Sequence, residues 1–378
     1  MKCRLSDICC FRKEKVEVEN LNTQNYVSTE NMLPNKRGIT EASSLPTVLL
    51  TQKYKKDDVL VSNIRPYFKK IWQAKYDGGC SNDVLVFVPD SNIDKNFLYY
   101  VLADDDFFTY SMATSKGTKM PRGDKVSIMQ YEVPLFDLHT QKKIASILKS
   151  LDEKIELNNK INNNLEQQAR TIFENEFLSL ETLPDGWKHG SLVDIASYLN
   201  GLAMQKYRPN ADEIGIPVLK IKELRQRCCD SNTEQCSPNI KSEYIVHDGD
   251  VIFSWSGSLL VDFWCGGVCG LNQHLFKVTS TDYDKWFYYS WTKYHLDRFI
   301  AIAADKATTM GHIKRDDLAK AKVLIPDDAD YNRIGSLLQP IYDLIIANRI
   351  ESKKLADTRD ILLPKLMSGE LDVSNIDL

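Results

Sequence analysis

The 378-residue sequence contains no run of eighteen apolar residues, so no stretch of it reads as a membrane-spanning helix. Its amino-terminal MKCRLSDICCFRKEKVEVEN lacks the apolar centre of a secretory signal. No GxxxxGKS/T loop is present to cradle a nucleoside triphosphate, and no GxSxG elbow to raise a serine nucleophile. Two prolines never stand side by side, which excludes an Asn-Pro-Pro-aromatic motif for holding a flipped base. Cysteines number nine, an odd count with adjacent pairs at 9/10 and 228/229, unlike the disulfide framework of a small secreted domain. Among them only Cys265 and Cys269 approach metal-ligand spacing, and no second close pair completes four ligands. Asp327, Glu351 and Lys353 can be forced into a nuclease-like set, but the last two fall on a long helix beside its seam and do not converge on one ion. These absences predict a cytoplasmic chain with reduced thiols, no catalytic centre, no metal, no cofactor of its own and no membrane partner.

What is present is local charge and a repeat. The net charge of −4 conceals two basic clusters. Lys53, Lys55, Lys56, Arg65, Lys69, Lys70 and Lys75 stand against only Asp57 and Asp58, and Lys116, Lys119, Arg122 and Lys125 stand against Asp124. Within the first, SNIRPYFKK interleaves Arg65, Lys69 and Lys70 with Tyr67 and Phe68, a mixture suited to phosphate contact and groove insertion.

Residues 141–178 contain neither Pro nor Gly, and Ile144, Leu148, Leu151, Ile155, Leu165, Ala169 and Ile172 recur at helical spacing. One long amphipathic helix is predicted. From Asn332 the chain can be laid over that stretch without a gap: Ile144, Ser146, Leu148, Ile155, Asn158 and Leu165 meet Ile334, Ser336, Leu338, Ile345, Asn348 and Leu355. Earlier elements repeat at a similar offset, with Asp58, Val59 and Leu60 echoed by Asp250, Val251 and Ile252, and Asn82 by Asn272. A period near 190 residues is too long for a solenoid and fits a duplicated unit of domain plus helix.

The expected architecture is therefore α+β: two similar mixed α/β domains separated by two long antiparallel coiled-coil helices, related by a pseudo-twofold. The predicted divisions are 1–139, first domain; 140–179, first spacer helix; 180–328, second domain; and 329–378, second spacer helix and tail. In the first domain, residues 96–108 are predicted to form one helix. Asn158, Asn162 and Asn348 fall on the helix seam, where a buried amide restricts register because a shifted partner leaves it unsatisfied. In the second domain SWSGSLL replaces SNIRPYFKK and is nearly uncharged, which leaves Lys220, Lys222, Arg225, Arg227, Lys306, Lys314 and Arg315 as its basic groups. Two roles fit this plan: domains that read DNA at two sites, or a coiled-coil scaffold with two protein-binding heads.

The segments QKKIASILKSLDEKIELNNKINNNLEQQARTIF, LPDGW and IESKKLADTRDILLPKLMSGEL carry a resemblance to the specificity subunits of type I restriction-modification systems, and the resemblance spans essentially the whole chain. It implies two target recognition domains that each read half of a split DNA site, with paired helices setting the gap. It also implies docking of two methyltransferase subunits and recruitment of restriction subunits. S-adenosylmethionine, ATP and magnesium would then act on those partners. The first half lacks the Leu-Pro-x-Gly-Trp segment that opens the second, so the edge of the first domain is expected to be incomplete if the true start lies upstream. Recognition domains vary within such a family, so the candidate DNA contacts rest on charge and loop context: Arg65, Tyr67, Lys69, Lys70, Lys75, Lys116, Lys119, Arg122, Lys220, Lys222, Arg225, Lys306, Lys314 and Arg315. The candidate spacer contacts are Ile144, Leu148, Leu151, Ile155, Asn158 and Leu165 with Ile334, Leu338, Ile345, Asn348 and Leu355.

Overall fold

A computed structural model describes residues 2–230, 232–305, 313–374 and 376. The chain divides into two compact units, one of residues 1–153 with 356–378 and the other of residues 154–355. Both cuts fall inside long helices, Leu138–Phe173 and Asp328–Ser368. Each unit thus contains a globular domain together with stretches of both helices.

The two units repeat one topology. In the first, Lys2–Arg4 pairs antiparallel with Glu132–Pro134, and Lys188–Ser191 pairs in the same way with Lys322–Ile325 in the second. A four-stranded antiparallel sheet follows in each. Its order is Cys9–Phe11, Val84–Pro89, Val59–Ser62, Ile71–Gln73 in the first and Ser197–Asn200, Leu275–Thr279, Val251–Ser254, Leu260–Phe263 in the second. The turn into the third strand of each order is capped alike: Asp58 Oδ2 accepts the Lys55 N–H and Asp250 Oδ2 accepts the His247 N–H, both at 2.8 Å. At the tight position before each Asp stand Asp57 at φ +77° and Gly249 at φ +84°. Each capping carboxylate is then neutralised, Asp58 by Arg12 at 2.6 Å and Asp250 by Lys277 at 2.8 Å.

The second sheet is where the copies diverge. Gly78–Cys80 lies between Tyr26–Val27, parallel, and Leu50–Tyr54, antiparallel; Cys269–Leu271 lies between Ile216–Leu219, parallel, and Ile245–Val246, antiparallel. The fourth strand is added at opposite edges: Lys15–Glu17 joins the antiparallel neighbour in the first unit, and Gln235–Cys236 joins the parallel neighbour in the second. The expected single helix over 96–108 is instead two, Lys95–Ala103 and Asp105–Ala113. Asp104 separates them because its carboxylate accepts the Asp106 N–H at 3.0 Å and starts a new helix.

Both long helices begin at an Asp cap. Asp137 Oδ1 accepts the His139 and Thr140 N–H groups, and Asp327 Oδ1 accepts that of Asp330. The first helix ends in a π-helical turn, Glu174–Leu178. The second continues through Pro340 and Pro364, although each proline removes a helix donor.

At the helix starts the heptad positions serve two partners. Ile144 and Leu148 are buried with Phe97, Val101, Leu363 and Leu366 in the core of the first unit. Ile334 and Leu338 are buried with Phe173, Trp286 and Phe287 in the core of the second. These four residues therefore anchor each helix to a globular core as well as to the facing helix stretch. Leu151, Ile155, Leu165 and Leu355, further along, are only half-buried.

In the second unit the helix stretches run antiparallel across a polar centre. Asn158, fully buried, donates through Nδ2 to Glu351 Oε2 at 2.7 Å, and Asn348 Nδ2 donates to Asn162 Oδ1 at 2.9 Å. Beside them Arg349, 8% exposed, reaches Asp262 Oδ1 at 2.7 Å and Glu166 Oε1 at 2.8 Å, joining both helices to the sheet. Burial pushes the Asp262 carboxyl up, but the Arg349 and Arg227 guanidiniums outweigh it and its pKa lies below the usual carboxylate range. In the first unit Arg359 makes a comparable link, to Asp152 at 2.7 Å, and Asp152 also accepts the Tyr100 hydroxyl at 2.7 Å.

Two outcomes follow for the second unit. Arg349→Met leaves buried Asp262 with the half-exposed Arg227 alone and should cost up to about 3–5 kcal/mol in urea unfolding. The Asp262 contribution is complete above the unfolded carboxyl pKa of about 3.9 and is lost as pH falls through the lower folded value. Removing Arg349 raises that folded value, so the acid-unfolding midpoint should move to higher pH; an unmoved midpoint refutes the link. Separately, Asn162→Leu and Asn348→Leu should each cost about 1–3 kcal/mol by orphaning the other amide, while the double variant costs less than the sum. Strict additivity in chemical denaturation excludes the amide pair as a coupled contact.

Candidate nucleic-acid interface

In the first unit, strand register brings several loops to one end of the two four-stranded sheets. Main-chain bonds tie the loop after Val59–Ser62 to the turn at 81–83 and to residues 121–123: Asn63 N–H to Asp83 O at 2.8 Å, Arg65 N–H to Pro121 O at 2.8 Å, and Gly123 N–H to Asn63 O at 3.1 Å. Residues 116 and 122 exchange both main-chain bonds, at 2.9 and 3.0 Å, closing a hairpin that exposes Lys119 and Met120 at its tip. Residues 62–70 of the first basic cluster and residues 116–122 of the second, some fifty residues apart in sequence, therefore share one face, while Lys55, Lys56 and Lys75 lie toward the other end of the hairpin.

The loop at 62–70 is held in an unusual shape. Arg65 and Lys69 adopt φ +51° and +50°, and Asn35 and Lys36, whose N–H groups bond to Phe68 O and Lys69 O, adopt φ +58° and +59°. Left-handed backbone at four non-glycine positions costs of order 1 kcal/mol or more each, and such strain concentrates at functional sites. Between the two left-handed residues Pro66–Phe68 forms one 3-10 turn that presents Tyr67, 49% exposed, and Phe68, 37% exposed, with ring centroids 4.7 Å apart.

The cations differ in availability. Among the described residues the Arg65 side chain makes no hydrogen bond or ion pair, and its Nε is buried without a partner. Lys69 pairs with Asp105 at 2.6 Å, Lys116 with Asp124 at 2.6 Å and Arg122 with Asp83 at 3.2 Å. Burial raises the Asp105 pKa, yet Lys36 and Lys69 together hold it below the usual range. Pairs this exposed are worth at most about 1 kcal/mol, so a phosphate can displace the carboxylate at small cost. Two expected contacts are placed otherwise. Lys70 turns inward, its Nζ donating to Thr29 O and lying 5.7 Å from the Phe68 ring centroid; burial, then the nearby Arg65, lowers its pKa. Lys75 is exposed beyond Ile71–Gln73, at the opposite end of that hairpin from residues 62–70.

The second unit repeats the frame with other side chains. Trp255 N–H bonds to His274 O at 3.4 Å, and Ile313 N–H bonds to Trp255 O at 3.1 Å, matching the Asn63–Asp83 and Gly123–Asn63 bonds of the first unit. Ile221 and Leu224 of Ile221–Gln226 pack with Leu260, which sets that helix against the hairpin containing 254–260. Lys220, Lys222 and Arg225 are thus placed beside the hairpin, with Lys220 paired to Glu234, Lys222 to Asp230 at 3.0 Å, and Arg225 exposed. Arg227 is turned away to Asp262 at 2.9 Å. Lys314 is exposed next to Ile313, but Arg315 lines a concavity with Asp194 and Asp282 near Ser197 and Thr279, the far end of the sheet from Asn200. Lys306 lies outside the described residues.

The charge criterion missed the residues at the centre of this face. Trp255 donates through Nε1 to Asn200 Oδ1 at 3.0 Å and stacks on Phe276, and Ser256 Oγ lies 3.1 Å from His274 Nδ1. The signal available was positional: Trp255 occupies the place of Asn63, and His274 that of Asp83.

Two copies of a mixed domain, each followed by a long helix and each ending in a loop face with polar, aromatic and basic side chains, define a tandem recognition protein. The family model of the type I restriction modification DNA specificity domain matches residues 1–167 and 184–355, and the chain belongs to this family. It is 26% identical over 317 residues to the type I restriction enzyme MjaIX specificity subunit of Methanocaldococcus jannaschii, covering 76% of this chain and 72% of that one. It is 22% identical over 432 residues to the HindI specificity subunit of Haemophilus influenzae, covering 92% and 94%. The crystal structure of a type I restriction-modification S subunit from M. genitalium superposes with a TM-score of 0.57 at 16% identity, covering 99% of this chain and 96% of that one, which shows the shared fold. DNA recognition is the function of this family.

Lys69→Glu and Lys119→Glu should each weaken DNA binding across sequences and reduce the slope of log affinity against log salt by about 1. Lys75→Glu serves as the reference, since that residue stands at the other end of its hairpin. Equal losses for all three, measured by fluorescence anisotropy over a salt series, would remove residues 62–70 and 116–122 from the interface.

Proposed function

We propose that this chain reads a bipartite DNA target for a type I restriction-modification complex, each domain contacting one half-site and the paired helices setting the gap. The observation that carries this reading is the joining of loop 62–70 to the 116–122 hairpin. It gathers Arg65, Lys69, Lys119 and Arg122 with an exposed Tyr67 and Phe68 on one face, and the same main-chain frame recurs in the second unit. Cations fix position on the phosphates, while aromatic and polar groups contact base edges. The differing side chains on the two faces fit an asymmetric target with unlike halves.

Catalysis belongs, on this reading, to other subunits. Two methyltransferase subunits would dock on the outer faces of the helices and use S-adenosylmethionine on adenines of the site, and restriction subunits would bring ATP- and magnesium-dependent cleavage. The work is cytoplasmic, consistent with the finding that no helix among the described residues is long and apolar enough to cross a membrane.

The test is methylome sequencing of a host expressing this chain with its modification partner. Methylated adenines should occur in a split motif with a fixed gap. Exchanging the second domain should change one half of that motif and leave the other; a contiguous motif, or a change in both halves, counts against the assignment of one domain to each half-site.

A further inference from the structure

We propose that Cys229 and Cys269 form an oxidation site whose disulfide fastens the segment after the Ile221–Gln226 helix to the central strand Cys269–Leu271, weakening DNA binding by the second domain. Their sulfurs lie 3.6 Å apart. A disulfide requires about 2.05 Å, so closure needs a shift of roughly 1.5 Å. Cys229 can move, because it is half-buried in an irregular stretch, whereas Cys269 is buried in a strand bonded on both sides. The two thiols share a hydrogen bond, which, opposed by burial, lowers the Cys229 pKa and favours the thiolate there.

Hydrogen peroxide is the oxidant class that fits a narrow, partly open site. The Cys229 thiolate attacks one peroxide oxygen, the O–O bond breaks, and with one proton the products are Cys229 sulfenic acid and water. Cys269 sulfur then attacks the sulfenic sulfur, the S–S bond forms, the S–O bond breaks, and the Cys269 proton leaves with hydroxide as a second water. The two thiols lose two electrons and peroxide gains them. Cys236 is set apart from this pair: its sulfur packs where a Cβ on Gly270 would stand, on the opposite face of the strand from the Cys269 side chain.

The consequence rests on the DNA reading above. Lys222 and Arg225 ride on the helix that precedes Cys229, and Lys222 is held by Asp230, the next residue after it. Drawing 229 onto the sheet displaces that pair and the helix end with it.

Treatment of the full chain, in complex with modification subunits where DNA binding needs them, with stoichiometric hydrogen peroxide should give a Cys229–Cys269 linked peptide on non-reducing mass mapping. Affinity for a duplex carrying the methylated motif should fall at least fivefold and recover with dithiothreitol, and Cys229→Ser should resist both changes while Cys228→Ser does not. Mapping the wild-type chain decides the bond without any variant: no link, or a Cys229–Cys236 link in its place, overturns the assignment. A link formed with unchanged affinity overturns the regulatory effect. If the reduced complex itself fails to bind the motif, the DNA reading fails, and the mapped link still stands or falls alone.

Discussion

Everything else in this chain depends on where the two long helices begin. Ile144 and Leu148 are buried in the core of one unit, and Ile334 and Leu338 in the core of the other. Full burial of such side chains is worth about 1.5–3 kcal/mol each, more than a surface pair supplies and at or above the worth of a cap. These residues make each helix an extension of its own domain, and Asp137 and Asp327 set the point at which it starts. Each helix is thereby held to its own globular core from its first turns.

Past those anchors the logic changes from apolar burial to polar matching. In the second unit Asn158 and Asn162 are buried between the helix stretches together with Ala169 and Ile345, and Arg349 lies beside them between Asp262 and Glu166. A leucine seam would be more stable and would tolerate a slip of one heptad. Amides and a buried guanidinium do not, since a slip leaves charge and donors unpaired in a low-dielectric setting. The arrangement trades stability for a single register, which a chain that measures distance requires.

The sequence made the repeat legible because duplication keeps apolar spacing and turn residues in order: Asp137 and Asp327 and the helix anchors share an offset of 190, and Asp58 and Asp250 one of 192. The convergence of the clusters around Arg65 and Lys119 was half legible, as two basic runs without a stated contact. What escaped depended on partners distant in sequence. Lys70 looks like its neighbour Lys69 until Thr29 is seen to receive it, and Lys75 is separated from both by one short strand. The opposite-edge placement of Lys15–Glu17 and Gln235–Cys236 follows from pairing that no local pattern specifies. Trp255 and His274 were passed over because a search for cations cannot find a neutral face, and the 3.6 Å approach of Cys229 to Cys269 spans forty residues of chain.

The contrast between the two faces bears on how binding energy would be divided. On the proposed reading the first domain, with Arg65 lacking a partner among the described residues and Lys69, Lys116 and Arg122 in readily exchanged pairs, supplies mainly phosphate contact, which is strong, salt-dependent and indifferent to sequence. The second has Lys220 and Lys222 in pairs just as exposed, with Arg225 and Lys314 exposed as well, and adds Trp255 and His274 at its loops. Base-edge contacts made there are each worth about 1–3 kcal/mol against a wrong base. A chain with a net charge of −4 can then bind a polyanion without being basic as a whole, because the charge that matters is confined to the loop faces.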